Sequence, residues 1–204
     1  MFYLFLTFLF VSVLAILFFI FFPIIYKRYL NKFFLNVYGK KAYQIANKYD
    51  YYLINKLTLE ANDNTKIQID HLLFGDKYLY VIHDCYYDGA IEYKENDRNW
   101  IFYYGKAKRP NKRFTENHII TNKNLITKLS MITGLDKSLM INVVLINNSC
   151  IVNEFKTDSS DVAFLKVKSL KDFILELEGR DIKPLDKEQL RYVVHDLARL
   201  NLKP

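Results

Sequence analysis

Asp70 stands in the run Lys66-Ile67-Gln68-Ile69-Asp70-His71-Leu72-Leu73, a carboxylate in the middle of an otherwise apolar segment of strand length. Burying a charge there is costly unless it is paired or holds a cation, so the position invites a functional reading. Strand alternation puts Gln68 and Asp70 on one face and Ile67, Ile69 and His71 on the other. The next apolar run, Tyr78-Leu79-Tyr80-Val81-Ile82-His83-Asp84-Cys85, follows the turn Gly75-Asp76 and sets His83 and Cys85 on a shared face. A lone carboxylate makes a poor Mg²⁺ site, because Mg²⁺ asks for several oxygen donors in octahedral geometry. Imidazole and thiol favour softer metals, which makes Asp70, His83 and Cys85 a possible transition-metal set. No zinc-type spacing supports that set, and His118 and His195 are distant along the chain. A His and a Cys packed on a half-buried strand is the competing reading. A second constellation, Glu92-Tyr93-Lys94, joins a carboxylate and an amine on the strand that follows. The six glycines form no phosphate-binding loop, and no serine has nucleophile-elbow spacing.

The elements expected to position these groups read as follows. Tyr29 to Asn47 has apolar residues near a 3.6 period and is interrupted at Gly39. Tyr51 to Glu60, Thr65 to Phe74 and Tyr78 to Cys85 are rich in β-branched and aromatic residues and bounded by turn clusters. Asp88-Gly89 turns the chain again, and Ala90 to Glu95 with Trp100 to Tyr104 read as a hairpin around Asn96-Asp97. The whole stretch is expected to be a meander of mostly antiparallel strands. A basic loop with Lys106, Lys108, Arg109, Lys112 and Arg113 precedes a helix beginning at Thr115 and stopping at Gly134. Met140 to Ile146 is continuously apolar, the mark of a strand buried on both faces. Val162 to Val167 is a further strand. A helix over Ser169 to Glu178 ends at Gly179, and a last helix opens on Asp186 as cap.

From Met1 to Tyr26 no residue is charged, and Lys27, Arg28 and Lys32 follow directly. The run is long enough to span a bilayer, and its ends lack the features of a cleaved signal peptide. The expected organisation is a transmembrane helix over residues 1–26, a basic juxtamembrane segment over 27–38 and a folded domain over 39–204. The positive charge beyond the span assigns the short N-terminus to the outside and the domain to the cytoplasm. Two cysteines, Cys85 and Cys150, agree with a reducing compartment. The formal net charge of +7 suits either nucleic acid phosphates or anionic lipid headgroups.

Ile69-Asp70-His71, a hairpin, then Val81-Ile82 and Asp88-Gly89 resemble the nuclease-related domain family, NERD. The resemblance runs on through Trp100, Glu116-Asn117 at the next helix, the strand Ile141 to Ile146 and the closing helix. It implies an α/β (α+β) fold of the restriction-endonuclease-like kind, a central mixed, mostly antiparallel sheet flanked by helices behind the membrane helix. It also implies catalytic positions. Asp70 matches the family aspartate, whereas His83 stands at the glutamate position and Cys85 at the lysine position. Carboxylates at those positions hold Mg²⁺ or Mn²⁺ for phosphodiester hydrolysis, and the lysine serves the attacking water. With His83 and Cys85 there, the site is expected to be degenerate, needing no cofactor and leaving a nucleic-acid-binding or scaffold module. Lys106, Lys108, Arg109, Lys112 and Arg113, beside Tyr103 and Tyr104, are the expected nucleic-acid surface. Two other readings stand beside this one. In the first, Asp70, Glu92 and Lys94 form a working nuclease with Mg²⁺ or Mn²⁺ in a different register. In the second, the chain is a structural membrane protein whose partners are other membrane proteins.

Overall fold

The computed structural model describes residues 2–60, 65–105, 108–152 and 159–202, with backbone alone in 2–9, 23, 24, 27, 28 and 30–35. The chain divides into two units, Met1–Asn36 and Val37–Pro204. Helix α1 (Phe2–Tyr49) supplies the first unit, where Phe18, Phe22 and Tyr26 stack along one helix face at ring distances of 4.9 and 5.7 Å. Among the described residues no helix is long and apolar enough to cross a membrane, so the span expected over residues 1–26 is not met there. The side chains of Lys27, Arg28 and Lys32 lie outside the described residues.

The second unit is a mixed α/β fold. β1 (Tyr52–Glu60), β2 (Lys66–Phe74) and β3 (Leu79–Cys85) form the antiparallel meander expected from their β-branched and aromatic runs and the turns between them. β7 (Met140–Ile146) then joins β3 in parallel and β9 (Val162–Lys166) joins β7 in parallel, giving the order β1-β2-β3-β7-β9. Every residue of β7 is buried, as its unbroken apolar sequence requires of a parallel strand covered on both faces. One face carries the end of α1 through Ile45 and Ala46, with α3 (Leu170–Glu178) through Leu170, Ile174 and Leu177. The other carries α2 (His118–Thr133) through Ile126 and Leu129, with α4 (Lys187–Leu200) through Leu190 and Leu197.

The mixed sheet flanked by helices is as expected, but the expectation of a single, mostly antiparallel sheet needs correction. β4 (Ala90–Glu92), β5 (Asn99–Tyr104), β6 (Asn111–Glu116) and β8 (Ile151–Val152) form a second sheet, ordered β6-β5-β4-β8. The basic loop is also corrected: Lys112 and Arg113 lie in β6, paired with Tyr103 and Phe102, and only Lys108 and Arg109 sit in the turn before it. Lys106 lies outside the described residues. The helix expected from Thr115 starts at His118, because Asn117 caps it by accepting from the Ile119 and Ile120 amides. Gly39 does not break α1. Its missing side chain makes room for the His71 ring, whose Cε1 would lie 3.3 Å from a Cβ there.

Gly89 is required by a close approach. A Cβ at that position would stand inside contact distance of the Tyr103 carbonyl oxygen and 3.2 Å from Phe102 Cε2. Gly89→Ala is therefore expected to destabilise the unit by roughly 2 kcal/mol through overpacking against backbone that cannot yield. A urea midpoint equal to that of the unsubstituted chain would refute this.

Candidate functional site

The carboxylate that the sequence suggests is buried proves to be half-buried, and its neighbour on β3 is the more enclosed one. The Asp70 side chain is 41% exposed and the Asp84 side chain 5%. Asp70 Oδ2 pairs with His83 Nδ1 at 2.9 Å and accepts the Asp84 backbone N–H at 3.0 Å. Burial raises the Asp70 pKa, but the His83 hydrogen bond, the Asp84 amide and the charge on His83 outweigh it, so the carboxyl lies below its ordinary value. For His83 burial works downward and the Asp70 bond and charge outweigh it, raising the imidazole above its ordinary value. On β1 the ladder passes from Asn55↔His71 to Leu57↔Ile69, and Lys56, between them, has a φ of 53°.

Asp84 forms a second carboxylate–histidine pair. Its Oδ2 lies 2.7 Å from His71 Nε2, and His71 Nδ1 lies 2.7 Å from Asn55 Oδ1. Burial raises the Asp84 pKa more than the His71 bond lowers it. Asp84 Oδ1 is buried and has no hydrogen-bond partner among the described residues.

On the Asp70 side, β3 brings His83 and Cys85 to the first residue of α2. The His83 and His118 rings lie 4.9 Å apart, tilted by 34°. The ligating atoms of His83, Cys85 and His118 all lie within 4.8 Å of one another, the one such group of three among the described residues. Burial and the neighbouring His83 lower the His118 pKa to about 4, so its imidazole is neutral at neutral pH. Burial, together with the charges of Asp70 and Asp84, pushes the Cys85 thiol well up. Cys85 and Cys150 are both buried free thiols. Tyr38 donates to the Cys85 carbonyl at 2.9 Å, and the buried Tyr87 hydroxyl makes no hydrogen bond of ordinary geometry although Cys85 and Thr115 lie beside it.

Glu92 and Lys94 are placed elsewhere. Glu92 lies on β4 of the second sheet, opposite Ile101, and its Oε2 accepts the Tyr103 hydroxyl at 2.9 Å. Lys94 follows that strand, and its carbonyl accepts the Trp100 indole N–H at 3.0 Å. The Asp70 carboxylate is held by His83 and the Asp84 amide, and the Asp84 carboxylate is itself paired with His71. The residues present do not fit Mg²⁺, which needs further oxygen ligands.

Asp70, His83 and Cys85 are sequence-expected residues that the fold does bring together. His118, Asp84, His71 and Asn55 were not among them. For His118 a signal existed in the sequence: Asn117 ahead of Ile119 and Ile120 is a cap that would have started the helix at His118. For His118 beside Cys85 no local signal existed, since the contact depends on how α2 packs across the sheet.

Along β6, Arg113 lies over the Phe102 and Tyr104 rings at 5.1 and 5.9 Å, and those rings stack at 5.8 Å. Lys108, Arg109 and Lys112 are exposed, and Phe114 is 75% exposed. β6 ends its sheet, so this basic and aromatic surface borders an open strand edge.

No curated protein matches the chain. A crystal structure of a protein of unknown function, AF1548, aligns with a TM-score of 0.38 and 13% identity, covering 78% of each chain. The model of the nuclease-related domain matches residues 39–156, the segment that carries Asp70, both sheets' hairpins and all of β8. The chain therefore belongs to the nuclease-related domain family, NERD.

Proposed function

We propose that this chain is a nuclease-related module that binds nucleic acid without cutting it, on a restriction-endonuclease-like core held at a membrane by its first 26 residues. The observation that carries the reading is the state of Asp70. Its carboxylate is taken up by His83 Nδ1 and the Asp84 amide. The positions that the family resemblance gives to a glutamate and a lysine hold His83 and Cys85. A catalytic Mg²⁺ lacks its second carboxylate, and an attacking water lacks its lysine.

Binding is assigned to the β6 edge. Lys108, Arg109 and Lys112 supply phosphate attraction, and Phe114 offers a ring on which a base can stack. The membrane attachment is supported by the sequence: residues 1–26 hold no charge, and Lys27, Arg28 and Lys32 follow, which assigns the folded unit to the cytoplasm.

The test uses the purified full-length chain with labelled single- and double-stranded DNA and RNA, with Mg²⁺ or Mn²⁺. The expected result is intact nucleic acid and binding that weakens steeply with salt. A Lys108→Glu, Arg109→Glu, Lys112→Glu variant is expected to bind about tenfold or more weakly, and Phe114→Ala to weaken single-strand binding by about 1–3 kcal/mol. Metal-dependent cleavage abolished by Asp70→Ala would overturn the reading. Absence of both cleavage and binding would turn it to a scaffold for protein partners. Deleting residues 1–26 is expected to release the chain from sedimented membranes.

A further inference from the structure

The donor set that excludes Mg²⁺ has a positive meaning. We propose that His83, Cys85 and His118 bind a divalent transition metal ion of the zinc class, with Asp70 orienting His83 from behind. This does not depend on whether the chain binds nucleic acid.

The first argument is convergence. Two imidazoles and a thiol meet within 4.8 Å, from the end of β3 and the start of α2. Nitrogen and sulfur ligands of a tetrahedral zinc ion stand about 3.5 Å apart, so closure requires a movement on the order of 1 Å, within reach of small rotamer shifts. The donor types suit a borderline-soft ion and not a hard one.

The second is preorganisation. His118 opens α2, and that end is fixed on both sides. Asn117 accepts from the Ile119 and Ile120 amides and donates through Nδ2 to the Glu95 and Asp97 carbonyls. Trp100 meets the His118 ring edge to face at 5.7 Å. His83 Nδ1 is held by Asp70 Oδ2 at 2.9 Å, which turns Nε2 away from the carboxylate and leaves it as the ligand atom. A carboxylate behind a ligating histidine fixes the ring and strengthens it as a donor.

The third is the buried Tyr87 hydroxyl, which lacks a hydrogen bond of ordinary geometry beside Cys85. On metal binding the Cys85 thiol releases one proton to solvent, and the resulting thiolate is a stronger acceptor for this hydroxyl than the thiol. The His83 side chain is 26% exposed, which gives the ion an entry path and leaves a fourth position for water.

The test strips the full-length chain with a chelator and adds Co²⁺, then displaces it with Zn²⁺. The expected result is one ion per chain, with the visible bands of four-coordinate cobalt, a near-ultraviolet thiolate-to-cobalt band and loss of both on adding Zn²⁺. Cys85→Ser is expected to remove the thiolate band, and Cys85→Ser and His118→Asn each to weaken binding roughly 100-fold. Asp70→Asn is expected to weaken it about 10-fold, as second-layer partners of metal sites do. Cys150→Ala is expected to change nothing, and excess Mg²⁺ not to compete. The absence of a thiolate band from the unsubstituted chain overturns the proposal without reference to any variant. A band that survives Cys85→Ser and vanishes in Cys150→Ala overturns it equally, since the ion would then sit elsewhere.

Discussion

Trp100→Ala is expected to lower the unfolding free energy by about 4 kcal/mol, the largest single-residue loss foreseen for this chain. Trp100 is 1% exposed and packs in the core of the second sheet. Its ring meets Tyr93 at 5.5 Å, Phe164 at 5.3 Å and His118 at 5.7 Å, each edge to face. Such pairs add roughly 0.5–1.5 kcal/mol beyond the area they bury. Its indole N–H donates to the Lys94 carbonyl, which also accepts the Asp97 amide. Phe164 belongs to β9 of the first sheet and Tyr93 to the loop after β4, so the cavity would open between the two sheets and cannot collapse by moving one side chain. Trp100→Phe retains most of the packing and is expected to recover more than half of the loss. Urea unfolding checks both, with a midpoint shift of about 2 M for the alanine variant if m is roughly 2 kcal/mol per M. Equal losses for alanine and phenylalanine would mean that the indole hydrogen bond, and not ring packing, holds the sheets together.

The parts of the fold legible in the sequence are those set by local pattern. β1, β2 and β3 are rich in β-branched and aromatic residues and bounded by turns, β7 is uniformly apolar, Gly134 and Gly179 stop helices, and Asp186 caps α4 by accepting from the Glu188 and Gln189 amides. Of the second sheet the β4–β5 hairpin was legible, whereas its parallel partner β8 was not, because β8 is two residues long and its pairing with β4 is non-local. β6 was missed because Lys112 and Arg113 depress strand propensity, while cross-strand stacking of Arg113 on Phe102 and Tyr104 restores it. At the site the motif located Asp70, His83 and Cys85. It could not reveal which of two adjacent carboxylates is buried. Asp70 and Asp84 both stand beside a histidine, and only the packing of β1 and the end of α1 encloses Asp84 and not Asp70.

Glu95→Gln is expected to destabilise the folded unit by about 2–3 kcal/mol at neutral pH, and by much less in acid. Glu95 is buried, yet its carboxylate accepts from Lys123 Nζ at 2.8 Å, Ser159 Oγ at 2.6 Å and the Ser159 amide at 3.3 Å. It thereby ties the loop after β4 to α2 and to the approach of β9. Glutamine keeps the shape but turns a donor toward these donors, leaving at least one unpaired. Lys123 is 39% exposed, so solvent screens its part and the figure lies below that of a fully buried pair. Burial raises the Glu95 pKa, but Lys123 and Ser159 outweigh it and the carboxyl lies below its ordinary value. A lowered folded-state value means that the unfolded chain binds the proton more tightly. The stabilisation is therefore complete above the unfolded value, near 4.3, and disappears as pH falls through the folded value. The difference between parent and Glu95→Gln should accordingly shrink below about pH 4.3, while Lys123→Met should show the same convergence with a smaller amplitude. Urea unfolding of all three chains at neutral and acid pH measures this. A difference that stays constant through the acid range would mean that Glu95 acts through shape and not through charge.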